Sequence, residues 1–201
     1  MKRRGKKIGL IGPIAILVLH PLPVQAHLNT TGLGPVYDGL LHFVLSPEDF
    51  VPALALALYG GLRGAPHGRR ALFTLSAAWL AAGFVGMTLS TSGGGSLTAF
   101  SFLLLGGLVA ADVKLSLRTT TALATVLGFL HGYLNGAAMD QPGTGALALV
   151  GLVFGVFVLV ALCAAFVTRL HLPWTRIAVR VLGSWIAASG LLMLGWTMRR
   201  R

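Results

Sequence analysis

Six long apolar segments follow one another along the chain and constrain its fold more than any other feature. They contain 16 to 24 residues each and cover Pro47–Leu62, Ala71–Ser90, Leu97–Val113, Thr119–Met139, Gly145–Thr168 and Ile177–Met198. A helix needs about 20 apolar residues to cross the hydrocarbon core of a bilayer, so most of these segments are near spanning length. The sequence therefore predicts an all-α, polytopic transmembrane bundle of about six helices.

The composition argues against a soluble domain and against a nucleic-acid-binding role. Hydrophobic residues make up 55% of the 201 residues and charged residues only 10%, whereas soluble domains contain about 25% charged residues. The formal net charge is +11, but the basic residues lie in short clusters between apolar segments. We therefore expect the lipid bilayer, and no nucleic acid, as a partner. Because the loops are short, residues 27–201 are predicted to form a single transmembrane domain.

The first 26 residues have the pattern of a signal peptide. Five basic residues precede a twelve-residue apolar stretch, Ile8–Leu19, and Val24-Gln25-Ala26 supplies small residues at the positions that a signal peptidase recognises. Cleavage after Ala26 predicts an inner-membrane, multi-pass protein with a periplasmic mature N-terminus. An uncleaved anchor is the alternative, but the apolar stretch is short for a span.

The charges of the loops predict the orientation of the bundle. Three loops carry basic residues, namely Arg63–Arg70, Asp112–Arg118 and Thr168–Arg176, whereas Thr91–Ser96 and Asp140–Thr144 carry none. Basic loops are retained in the cytoplasm, so the first three are expected on that side, with Asp112 and Lys114 paired at the interface. Six spans from a periplasmic start place Arg199–Arg201 outside, against this bias.

Glycines at four-residue spacing occur in two of the predicted spans. They are Gly132 and Gly136 in the fourth span and Gly151 and Gly155 in the fifth. Small residues at this spacing let helix backbones approach closely in membranes. We therefore expect close helix packing around the fourth span.

A first cluster of ionisable residues precedes and begins the first span. Asp38 and His42 are four residues apart, a spacing that would suit a shared metal or a carboxylate that orients an imidazole. Glu48 and Asp49 follow shortly after. Ionisable groups are costly inside a membrane unless they line a cavity or have partners, so these four residues are candidates for a functional site.

A structural interpretation of the second half of this cluster stays open. Ser46 is predicted as an N-cap and Pro47 as the first helical residue, with Glu48 and Asp49 complementing the helix dipole and Asp49 at the capping-box position. The span that begins at Pro47 has 16 residues, or about 24 Å, which is short for a bilayer. A broken or re-entrant entry near Gly39–Ser46 would account for the deficit.

A second cluster lies in the fourth span. His131 and Asn135 are four residues apart, and glycines on both sides expose the face that they share. A lone intramembrane histidine can also serve helix packing only. The nearby Asn135, Tyr133 and glycines favour a site.

At these clusters the sequence resembles the HupE/UreJ family of nickel permeases, over essentially the whole mature chain. The family has a His-x5-Asp-His signature in its first mature helix and a His-Gly-x-x-His-Gly element in a later helix. Here His42-x5-Glu48-Asp49 and His131-Gly132-Tyr133-Leu134-Asn135-Gly136 take those places. Glu48 replaces Asp, and Asp49 and Asn135 each replace a His, so the chain resembles a divergent branch whose metal preference is shifted toward harder ions.

The resemblance implies a membrane permease, not an enzyme, that takes up a divalent transition metal, nickel or cobalt, and supports metalloenzyme maturation. The expected metal ligands are His42, Glu48, Asp49 and His131, supported by Asp38 and Asn135. The metal is a transported substrate, and no permanently bound cofactor is expected. Homo-oligomers or contacts with metalloenzyme accessory proteins are further expected partners. No phosphate-binding Gly-x4-Gly-Lys-Ser/Thr loop occurs, so transport would use a gradient or another subunit.

Two other functions remain as alternatives. An intramembrane metal-dependent hydrolase could place zinc between Asp38, His42 and His131, but it would need further carboxylates to complete the ligand set. A non-transporting scaffold for metalloenzyme assembly would explain the spans but not the buried acids. A scaffold should tolerate replacement of His42 or His131 by alanine.

Overall fold

The computed structural model describes residues 31–89, 95–139 and 143–199, and over these residues the chain forms seven α-helices and no strands. The helices are α1 (Pro35–Leu45), α2 (Pro47–Arg63), α3 (Ala65–Thr88), α4 (Gly95–Ala110), α5 (Leu117–Ala138), α6 (Gly145–Thr168) and α7 (Pro173–Arg199). Helices α2 to α7 correspond to the six predicted segments, and the all-α prediction is confirmed. The predicted signal peptide, residues 1–26, lies outside the described residues.

Several helices are suited to a bilayer by length and composition. Helices α3, α6 and α7 are each long and apolar enough to cross it, and α1 and α2 together form a fourth candidate span, bent by 75°. Helix α4 is apolar but short, and α5 has 22 residues but is not among the candidates. Polar residues in α5, including His131 and Asn135, lower its hydropathy.

The bend between α1 and α2 confirms the predicted broken entry to the first span. Ser46 has an extended backbone, with φ −98° and ψ 93°, and Pro47 is the first residue of α2. Proline disfavours helical geometry at the residue before it, and it has no N–H to continue the hydrogen-bond pattern of α1. The break therefore lies at Ser46, and Gly39–Leu45, which was expected to be irregular, belongs to α1 instead.

Glycines bring the helices into backbone contact, as the four-residue spacings predict. A Cβ atom on Gly132 would collide with the backbone of Trp79 in α3, and one on Gly136 with that of Gly83. On α6, a Cβ on Gly151 would collide with the backbone of Val36 in α1. Helix α5 is thus held against α3, and α6 against α1, at distances that only glycine allows.

The three basic loops meet at one end of the bundle. Buried Arg63, the last residue of α2, forms an ion pair with Asp112 after α4, and the Arg176 guanidinium donates a hydrogen bond of 3.1 Å to the Leu62 carbonyl. The loops expected to share one side of the membrane therefore do share one end, here called the basic end. The predicted pairing of Asp112 with Lys114 is wrong: the carboxylate pairs with Arg63, while Lys114 is exposed.

Helix α7 carries its last arginine away from the basic end. Gly183 of α7 packs on Val109 and Gly190 packs on Leu103, so α7 runs antiparallel to α4. Arg199 therefore lies toward the end of the bundle where α4 begins. The separation of this arginine from the basic loops, against the bias of their charges, therefore follows from the packing of α7 on α4.

Tyr59 links α2 to the loop after α4 and gives a first test of the structure. Its fully buried hydroxyl donates to the Val113 carbonyl and accepts from the Leu115 N–H, both at 3.1 Å. Tyr59→Phe removes both bonds, so we expect the free energy of unfolding to fall by about 1–3 kcal/mol. Thermal unfolding in detergent measures this loss. Tyr37→Phe, at an exposed position, is the control, and equal effects of both changes would contradict the link.

Candidate functional site

An ionisable pair lies buried between α2 and α5. The Asp49 carboxylate, in the first turn of α2, lies 2.8 Å from Nδ1 of His131 through its Oδ1 atom. Asp49 is 4% exposed and His131 1% exposed. Buried charged groups in a membrane protein need partners or a function, and each of these two residues is the partner of the other.

Ser101 of α4 contacts the second nitrogen of the same ring. Its Oγ lies 3.3 Å from His131 Nε2 and 2.7 Å from the Thr98 carbonyl, to which the hydroxyl donates its proton. The tautomer of the ring determines which partner donates in its two contacts, with Ser101 and with Asp49. Both ring nitrogens have a partner, so a metal can bind either one only by displacing a contact.

The order Asp49–His131–Ser101 is also that of the acid, base and nucleophile in the catalytic triads of hydrolases. In such a site the histidine accepts the proton of the nucleophilic hydroxyl. Here the Ser101 hydroxyl is directed at the carbonyl of Thr98 in its own helix, and Ser101 is 5% exposed. The geometry therefore disfavours an activated serine.

Helix α3 forms one wall of the site. The buried Trp79 ring lies against the His131 imidazole, with centroids 5.3 Å apart and planes inclined by 32°. The next residue along α5, Gly132, packs on the backbone of Trp79, which fixes the distance between the two helices. His131 is 14 residues from the start of α5 and seven from its end, so the pair lies in the half of the bundle away from the basic end.

Asn135 lies one turn after His131, on the same buried face of α5. Its side-chain Nδ2 donates to the His131 carbonyl at 2.8 Å, and the residue is 5% exposed. This bond leaves the amide oxygen of Asn135 as the group that could face a cation. The predicted shared face of His131 and Asn135 is therefore present.

The capping prediction for α2 is correct in position and wrong in its hydrogen bonds. Ser46 occupies the N-cap position and Pro47 begins the helix, but the Ser46 side chain makes no capping bond. Its Oγ instead lies 3.5 Å from Nε2 of His42. Asp49 does not complete a capping box because its carboxylate is directed to His131 in another helix. A purely structural role for Asp49 at the helix terminus is thereby disfavoured.

The remaining predicted site residues have other surroundings. The Asp38 carboxylate accepts hydrogen bonds from the Thr31 N–H at 2.5 Å and the Thr31 hydroxyl at 2.6 Å, so it does not orient His42 as the spacing suggested. His42 is half-buried near the break, and Glu48 is exposed on the first turn of α2. Within the described ranges, no three His, Cys, Asp or Glu side chains are grouped closely enough to hold a metal ion.

The structure adds two residues that the sequence pattern did not single out. Ser101 and Trp79 both contact the His131 ring, from α4 and α3. A serine and a tryptophan in apolar helices are common in membrane proteins, so their sequence positions carry no signal. Only the packing of four helices around His131 identifies them.

The fold and this site define a polytopic helical membrane protein with an ionisable pair buried between its helices. The family model for HupE / UreJ protein matches residues 15–193. The chain therefore belongs to the HupE/UreJ family, which is associated with nickel and cobalt transport for hydrogenase and urease. No curated protein and no solved structure gave a significant match.

Proposed function

We propose that this chain is a permease that takes up a divalent transition metal, nickel or cobalt, for metalloenzyme maturation. The observation that carries the proposal is the Asp49–His131 pair, in which two of the predicted ligands, 82 residues apart, meet at 2.8 Å inside the bundle. Carboxylate oxygen and imidazole nitrogen are both ligands of divalent transition metals. Membership of the HupE/UreJ family supports the same function.

The pair would act as the inner part of a transient site. A metal that enters must replace the contact of Nδ1 with Asp49 or that of Nε2 with Ser101, so binding exchanges one set of contacts for another. Weak binding at successive sites allows a transported ion to leave again. We propose that Asp38, His42 and Glu48 guide the metal to Asp49 and His131, and that the Asn135 amide oxygen supports it there.

The ligand types bear on which metal is carried. Two imidazoles of the family signatures are replaced here by the Asp49 carboxylate and the Asn135 amide. Oxygen ligands favour harder ions such as manganese over nickel and cobalt, whereas His131 retains a nitrogen ligand that suits nickel and cobalt. The proposed substrate is therefore nickel or cobalt, and manganese is the ion to test beside them.

Metal accumulation in a transport-deficient host tests the proposal. The full chain and the variants Asp49→Asn and His42→Ala are compared at equal membrane levels, with nickel, cobalt, manganese, zinc and copper supplied at trace concentration. We expect selective accumulation of nickel or cobalt, reduced about 10- to 100-fold by Asp49→Asn because the variant keeps the shape but loses the charge of the ligand. His42→Ala should also reduce uptake.

The control variant is His171→Ala, which removes an exposed imidazole from the loop before α7. It should accumulate metal like the unmodified chain. Selective accumulation of manganese instead would refute the proposed substrate. Equal metal content with and without the protein would refute the permease and favour a scaffold. Full uptake in both site variants would refute the proposed metal site.

A further inference from the structure

A groove lies between the first turns of α3 and the last turns of α6, at the basic end. It has a volume of about 280 Å³. Its lining includes the small residues Gly68, Ala161, Ala164 and Ala165, with Leu72 and Val160 further along. Gly68 and Ala164 bring the two helices together at its floor, since a Cβ on Gly68 would lie 3.2 Å from that of Ala164. The groove between these two helices is thus lined mainly by apolar residues.

Two arginines close this groove on the side of the basic end. Arg69 lies in the first turns of α3, and Arg169 directly follows the last residue of α6. Both are exposed and both line the groove. Among the residues that the structure describes, neither guanidinium has a hydrogen-bond or ion-pair partner. The adjacent Thr168 hydroxyl is already bonded to the Ala164 carbonyl at 2.7 Å. Two cationic groups therefore lie at the end of an apolar groove, and no anionic group among the described residues neutralises them.

The protein does not supply that anion from nearby. The segments 63–70, 112–118 and 169–180 contain eight basic residues and one acid, Asp112. The carboxylate of Asp112 is held by Arg63. Positive charge at this end is therefore uncompensated, and an anionic partner would be attracted to it.

We propose that this groove binds one anionic phospholipid, with its phosphate between Arg69 and Arg169 and the upper part of an acyl chain along Ala161, Ala165 and Leu72. Guanidinium groups bind phosphate oxygens through paired hydrogen bonds. Basic pockets between transmembrane helices are a recurrent form of headgroup site. A free phosphate ion would bind the arginines but leave the apolar part of the groove empty, whereas a phospholipid would occupy both parts. This inference does not depend on the proposed transport function.

A second groove, between α3 and α5, provides a matched control. It contains Arg70 and Arg118 at the same end of the bundle, but Thr121 and Thr125 make its wall more polar. Removing its two charges changes the net charge of the basic end by the same amount. Of these two grooves, the first alone combines paired arginines with a wall of small apolar residues.

Native mass spectrometry of the full chain in detergent tests the proposal, with phosphatidylglycerol and phosphatidylethanolamine of identical acyl chains as the probes. The unmodified chain should retain one phosphatidylglycerol in preference to phosphatidylethanolamine. Arg69→Gln with Arg169→Gln should weaken retention of phosphatidylglycerol about 10- to 30-fold. Arg70→Gln with Arg118→Gln should change it less than about twofold. Equal losses in both double variants would overturn the proposal in favour of diffuse charge attraction, and no loss in the first would also overturn it.

Two further measurements test the apolar part of the site. Ala165→Trp fills the groove and keeps both arginines, so it should also weaken retention of phosphatidylglycerol; unchanged retention would overturn the placement of the acyl chain. Excess inorganic phosphate should not displace the lipid, and displacement would show a simple anion site. Because Arg69 and Arg169 are exposed, their double variant should unfold at the same temperature as the unmodified chain. Equal unfolding temperatures would show that a loss of lipid retention arises at the groove.

Discussion

His131→Ala is expected to abolish metal uptake and to lower the free energy of unfolding by about 3–5 kcal/mol. The change leaves the Asp49 carboxylate buried without its partner, and removing one member of a buried ion pair has an effect of this size. It also removes the hydrogen bond of 2.8 Å to that carboxylate and the ring that packs against Trp79. Reversible unfolding in detergent measures the stability, and cellular metal content measures uptake.

The double variant Asp49→Ala with His131→Ala separates the pair from the rest of the fold. Without a carboxylate, no charge is left unpaired, so the double variant should be more stable than His131→Ala alone. Additive losses would contradict a direct contact between Asp49 and His131. His42→Ala is the stability control: this ring is half-buried with one long contact of 3.5 Å, and its loss should have an effect below about 1 kcal/mol. Uptake should be lost in the two variants that lack His131 and reduced in His42→Ala.

The sequence identified both members of the pair but not their contact. Asp49 and His131 are among the few ionisable residues in the apolar segments, and such residues can be recognised from the sequence alone. Their contact depends on the 75° bend at Ser46, which turns the first helical turn of α2 toward α5. A local capping rule could not anticipate this, because the partner that displaces the capping bond is 82 residues away.

The helices themselves were predictable because hydrophobic segments of spanning length have few alternatives in a membrane. Helix α1 was less predictable from the sequence, because Asp38 and His42 interrupt its apolar pattern and Gly39 suggests a break. Gly39 instead packs against the backbone of Ala148 in α6. A glycine that breaks a helix and one that allows close helix packing look the same in sequence, and only the neighbouring helix distinguishes them.

Gly132→Ala is expected to have the second largest effect, because the position joins helix packing to the site. The added methyl group would lie 2.7 Å from Trp79 Cα and 2.8 Å from its carbonyl carbon, and the backbone cannot move aside as a side chain could. Overpacking of this kind lowers the free energy of unfolding by about 1–3 kcal/mol, and we expect the upper part of that range. Separation of α3 from α5 would also displace the adjacent His131, so metal uptake should fall at least about tenfold.

Gly107→Ala is the matched control for this prediction. Gly107 lies inside α4, and a Cβ atom there would meet no other group within 4 Å. Alanine is a better helix former than glycine, so this variant should be as stable as the unmodified chain or slightly more stable, with unchanged uptake. If Gly132→Ala is equally well tolerated, helix α5 does not lie against Trp79 as described, and the wall that positions His131 must be formed differently. If Gly132→Ala alone loses stability and uptake together, the close contact of α3 and α5 is what holds the Asp49–His131 pair in register.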